Sequence, residues 1–174
     1  MANFEDIVTW LLRIEDAPLR GEVKDLGDGA GLTRFGLTSV NDGALLPSDY
    51  FTKDPGAALL DAKNVYRRKY WNAILGDKIE PDEVAASVFS FAVNEWVAPA
   101  VKIAQRALGL VADGVVGPQT LKAFAEPGAG DKIREAQASH YRALDAANHA
   151  RDDQWLTGWL KRAYLKYPDL TGFV

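Results

Sequence analysis

The chain contains no cysteine. Disulfides, thiolate metal sites and cysteine nucleophiles are thereby excluded. Histidine is almost as scarce, with only His140 and His149. They lie nine residues apart (149 − 140) and do not share a helical face. A zinc site takes about three protein ligands, so both histidines read as surface or capping residues and no metal is expected. A serine triad would have to use one of them, and no Gly-x-Ser-x-Gly elbow is present. Positive charge is also in deficit: 20 basic residues against 24 acidic ones give a net charge of −4. A nucleic-acid partner is therefore not expected. No apolar run approaches the length of a membrane span, so no membrane role is expected either. The opening "MANFEDIVTW" has acids where a signal peptide has a basic region and an unbroken apolar one. Work outside the cytoplasm would need another carrier.

What remains is an ordinary globular composition, 48% apolar and 25% charged over 174 residues. That suits one domain, residues 1–174, with a substantial core. Phe4, Ile7, Val8, Leu11 and Leu12 recur at the spacing of one helical face, with Asn3 as N-cap, so residues 3–15 read as a helix. Pro18 blocks its continuation. Residues 19–38 carry five glycines and short alternating pieces, which predict a β-hairpin or compact loop. The stretch "GAALLDAKNVYRRKYWNAIL" reads as helical, with "RRK" (67–69) on a solvated face. "DEVAASVFSFAVNE" after Pro81 predicts a central apolar helix. Further helices are expected from "APAVKIAQRALG", from Pro118, from the stretch ending near Asn148, and from "DDQWLTGWLKRAYLKY", whose Trp155 and Trp159 read as core. The fold class is thus α+β, mainly α, with about seven helices and one small β element. Residues 1–80 hold the β/loop part and residues 81–174 a helical part.

With thiol and imidazole chemistry set aside, carboxylates remain. A glycosidase needs a carboxylic acid that donates its proton to the leaving oxygen. Glu15 is suitably placed: it ends the first helix beside Leu11, Leu12 and Ile14. Apolar neighbours and the negative end of the helix dipole both disfavour an ionised side chain.

Together these pieces resemble glycoside hydrolase family 108, N-acetylmuramidases of phages and bacteria. "LLRIE" followed by "DGAGLTRFGLT" is similar to the family motif: a Glu at a helix end, Asp-x-Gly-Gly-x-Thr, then Gly-Ile/Leu-Thr. "FSFAVNEWVAPAVKIAQRALGLVADGVVGPQTLKAF" resembles the family's predicted peptidoglycan-binding region, and this is the most specific part. The resemblance implies a lysozyme-like fold and hydrolysis of the β-1,4 bond between N-acetylmuramic acid and N-acetylglucosamine. It implies Glu15 as the general acid, with Asp28 and Thr33 as the acid and hydroxyl of the loop. It implies bacterial peptidoglycan as partner, no cofactor, and a monomer. It also implies synthesis in a bacterial cytoplasm and release to the wall through a phage pore or in a particle. Two departures stand out. Asp16-Ala17 replaces the family's Gly-Gly, and the following loop is about four residues longer, so Asp25 and Glu22 are alternatives to Asp28. Glu95-Trp96 follows Asn94 where the family has a small residue.

Sugar rings stack on aromatic faces and acetamido groups need hydrogen-bond partners. Trp71, Trp96 and Asn94 are accordingly the expected substrate-binding residues, with Tyr66 and Tyr70 read as core. Affinity is expected from shape and sugar contacts rather than charge, given the acidic balance. A non-catalytic peptidoglycan-binding or adaptor protein on the same scaffold is the competing reading. An amidase acting on the same polymer is a third.

Overall fold

The computed structural model describes residues 2–15, 18–25, 27, 29–147 and 149–171, and for residues 149–154 the backbone alone. Helix α1 (Phe4–Glu15) buries Phe4, Ile7, Val8, Trp10, Leu11 and Leu12 on one side. Asn3 caps it, its Oδ1 accepting from the Glu5 amide at 3.0 Å. A three-stranded antiparallel sheet comes next, β1 (Lys24–Asp25), β2 (Leu32–Arg34) and β3 (Leu37–Thr38), in that order. Phe35 and Gly36 join β2 to β3 with φ of +50° and +74°. Two central residues with positive φ make the hairpin turn that matches strand twist. The buried Arg34 ties this sheet to the chain around it. Its Nε donates to Gly21 O at 2.7 Å, and its Nη1 to Tyr50 O at 2.7 Å and Lys53 O at 3.0 Å.

A four-residue helix α2 (Ser39–Asp42) adds to the expected elements; Thr38 caps it through the Asn41 amide. Helix α3 (Pro55–Tyr66) starts at Asp54, whose side chain accepts from Gly56 and Ala57 N–H. It ends in a π turn over Arg67–Trp71, so "RRK" does not form a single solvated face. Arg67 lies over Phe4 and pairs with Asp77, while Lys69 turns inward to Asp42.

Helix α4 (Asp82–Glu95) is buried without a break from Val84 to Ala92, the central helix the sequence predicts. Helices α5 (Val97–Ala107), α6 (Pro118–Phe124), α7 (Ala129–Ala147) and α8 (His149–Tyr164) surround it. α7 and α8 form an antiparallel pair in which Tyr141 stacks on Trp159 at 5.5 Å. Trp159 packs against the core as expected, but Trp155 is 56% exposed. The chain then returns to α1: Trp10 Nε1 donates to Asp169 O at 2.7 Å, and Tyr167 meets the Trp10 ring edge-on. The α+β, mainly helical class holds, with eight α-helices among the described residues. Among those residues no helix is long and apolar enough to cross a membrane.

Candidate active site

Glu15 ends α1 against the β2–β3 turn. At Gly36 the backbone comes so close that a Cβ would lie 2.6 Å from Tyr66 Oη and 3.3 Å from Glu15 Cγ. Positive φ and this approach together require glycine there. Tyr66, buried, donates its hydroxyl to Phe35 O at 3.0 Å and so fixes the turn to α3. Burial, then the Glu15 charge, push that hydroxyl well above its ordinary range, so it stays a donor.

The decisive neighbour of Glu15 comes from α8. Arg162 Nη2 donates to Glu15 Oε1 at 2.5 Å, and its Nε donates to Ser90 Oγ on α4 at 3.1 Å. Both side chains are largely enclosed, at 10% exposure for Arg162 and 22% for Glu15. Burial works against the guanidinium charge, but the Glu15 carboxylate outweighs it and holds Arg162 above its ordinary value. The sequence reading surrounds Glu15 with apolar side chains and the helix end alone; the structure adds a cation. A basic residue three positions after Trp159, on the buried side of the last helix, was the available signal.

Glu15, Glu22, Lys24, Thr33, Arg34, Phe35 and Gly36 line a cavity of about 80 Å³. The strand register explains who faces it. Lys24 pairs with Thr33, so the two share a face; Glu22, just before the strand, also reaches the cavity wall. Asp25 pairs with Leu32 and therefore points to the opposite face, where its Oδ1 accepts from the Gly27 amide. Glu22 pairs loosely with Lys24 (3.6 Å) and Arg20 (3.9 Å). Asp28 lies outside the described residues. A larger recess of about 680 Å³ sits elsewhere, beside Glu80, Asp82, Glu83 and Tyr167, and shares no wall with Glu15.

The expected sugar contacts separate. Trp71 is fully buried between Phe4 and Phe89, with Nε1 on Asp77 Oδ1, so no ring face is open to a sugar. Trp96 is 55% exposed. Asn94 donates to Tyr141 Oη at 2.7 Å, which fixes its side chain at the end of α4. Tyr66 and Tyr70 are core, as the sequence suggests. His140 pairs with Glu95 at 3.1 Å, and the His149 side chain lies outside the described residues. Among the described residues no cluster of three potential ligands for a metal exists.

The turn "ADGVVGPQT" is held by Gln105, which donates to Asp113, Val115 O and Thr120 and accepts from the Gly114 amide. Gln105→Ala should lower stability by about 2–3 kcal/mol, read by denaturant unfolding, because it strands several partners at once. An unchanged midpoint would show that water replaces the amide.

Residues 12–95 match the family model described as Glycosyl hydrolase 108, and residues 99–164 match the Predicted Peptidoglycan domain. No curated protein matches the sequence. Among solved structures, SagA of Brucella abortus is similar, with a TM-score of 0.64 and 22% identity. The match covers 95% of this chain and 96% of that one, and it carries the fold.

Proposed function

We propose that this chain, whose residues 12–95 match the Glycosyl hydrolase 108 model and residues 99–164 the Predicted Peptidoglycan domain, hydrolyses the β-1,4 bond between N-acetylmuramic acid and N-acetylglucosamine, with Glu15 as general acid. The observation that carries this reading is the Glu15 carboxyl, held by Arg162 in the wall of a small cavity that also contains Thr33. Arg162 takes Oε1, which leaves Oε2 as the oxygen for proton transfer to the glycosidic oxygen. As that bond breaks, positive charge grows on the muramic acid ring. A second carboxylate with Thr33 offsets that charge or orients the attacking water. Trp96 and Asn94 contribute to glycan binding; the buried Trp71 takes no part.

Asp28 is the proposed second carboxylate, on the strength of the motif. Glu22 is the second reading, favoured by its place on the cavity wall beside Thr33. Asp25 is set aside because the register turns it away.

Mass spectra of digested peptidoglycan test the whole proposal. Wild type should release fragments with new reducing muramic acid ends. Asp28→Asn should slow that release by about a hundredfold or more, and Glu22→Gln by no more than about threefold. The reverse ranking assigns the role to Glu22. Free L-alanine amines, or ends that carry anhydro-muramic acid, would refute hydrolysis at this bond.

A further inference from the structure

Trp96 stands where α4 stops and α5 begins, with φ of +67° and ψ of +158°. Only glycine adopts that region without strain. The junction itself needs no indole, since a glycine would make the same turn freely. Yet the residue present is the largest of all, and just over half of it is open to solvent. It is also held in place. Lys69 Nζ lies 4.6 Å from the Trp96 ring centroid. The same ammonium donates to Asp42 Oδ1 at 2.6 Å, and Asp42, itself buried, accepts from the Thr38 amide. Lys69 belongs to the π turn that extends α3, a distortion often found at functional sites.

The same chain of contacts leads back to Glu15. Tyr70, next to Lys69, is 5.9 Å from Tyr66 ring to ring, and Tyr66 grips the turn that touches Glu15. Glu15 and Asp42 are both among the charges felt by the Tyr70 hydroxyl. Two strained or irregular backbone segments thus meet on one wall, and the product is an exposed, oriented indole.

We propose that the Trp96 indole is a stacking platform for the apolar face of an N-acetylated hexosamine ring, at a subsite separate from the cavity at Glu15. Lys69, anchored by Asp42, is the positioning residue that sets the ring's pose. The polarised C–H bonds of a pyranose face meet the negative face of the indole. This rests on the glycan-hydrolase reading above and adds a second point of attachment along the strand.

The test exploits the strain. Trp96→Gly and Trp96→Phe are compared in the full chain by thermal unfolding, and by steady-state kinetics on soluble peptidoglycan fragments. Binding of chitooligosaccharides is followed by titration calorimetry in the Glu15→Gln background, a readout that does not need the Trp96 indole. Trp96→Gly should raise Tm by a few degrees as the strain is released. It should also weaken oligosaccharide binding and raise KM by about tenfold, with kcat within about twofold. Trp96→Phe should keep most of the binding. Lys69→Met should weaken binding by about threefold with no change in kcat. Unchanged KM and binding in Trp96→Gly overturn the platform, whatever Tm does. A fall in Tm together with kcat also overturns it, because Trp96 would then be a structural wedge. If wild type releases no reducing ends, the hydrolase reading fails, while the calorimetric titration still reports on the platform.

Discussion

Glu15→Gln is expected to reduce the release of reducing ends by about a thousandfold while leaving a folded protein that still binds cell walls. Glutamine has the shape of glutamic acid but no acidic proton. Arg162 can still donate to the amide oxygen, so the cavity keeps its form. Losing the carboxylate leaves the enclosed guanidinium with Ser90 and a neutral acceptor, which should lower stability by about 1–2 kcal/mol. Clearing of purified walls and co-sedimentation with them measure the two effects separately. A glutamine variant that clears walls at about a tenth of the wild-type rate or faster would remove Glu15 from the chemistry.

Arg162→Met should have the next largest effect, and on two observables. Methionine fills much of the arginine's volume, but Glu15 loses its charged partner and Ser90 Oγ loses its donor. Breaking one side of an enclosed ion pair costs up to several kcal/mol; with Glu15 partly exposed, roughly 2 kcal/mol is expected. The carboxyl is then free to swing, and a displacement of about 1 Å can lower the rate by a hundredfold, so kcat should fall by about 10- to 100-fold. KM should hardly change, because Arg162 is engaged by Glu15 and Ser90 and does not line the cavity. Arg162→Lys should restore part of kcat. A purely structural role predicts the stability loss without the selective fall in kcat.

Much of this molecule is legible along the chain because its signals are local. The Phe4–Leu12 periodicity and the Asn3 cap gave α1 its bounds within a residue, and with them the position of Glu15 at its end. The apolar stretch after Pro81 became the central α4. The glycines between residues 19 and 38 announced a hairpin, but not its register. Register decides that Lys24 and Thr33 share a face and that Asp25 does not, because a shift of one residue inverts every side chain.

The tryptophans show why composition alone misplaces a binding surface. Trp71 and Trp96 both looked suited to a sugar. The π turn over Arg67–Trp71 rotates the residues beyond it by about 100° relative to a continuous helix, so the phase of α3 does not carry through to Trp71. Trp71 lands in the core, and Trp96 is held outward by a backbone conformation that no residue-type preference predicts. Trp155, read as core from its spacing to Trp159, shares a helical face with it yet is exposed: it lies one turn nearer the α7–α8 connection, and Trp159 is the one that stacks on Tyr141.

The sequence by itself excluded thiol chemistry, because cysteine is missing, and it determined the helices and the place of Glu15 at the end of the first; the carboxylate reading came from the resemblance of its motifs to family 108. The exclusion and the helices come from residue type and short-range spacing. Only the tertiary structure decided that Arg162, 147 residues along the chain from Glu15, is the cation that holds the acid. The spacing of Arg162 to Trp159 marks it as a cation on the inner side of α8, but neither helix's own pattern names its partner; the pair exists only once α1, α4 and α8 have packed together.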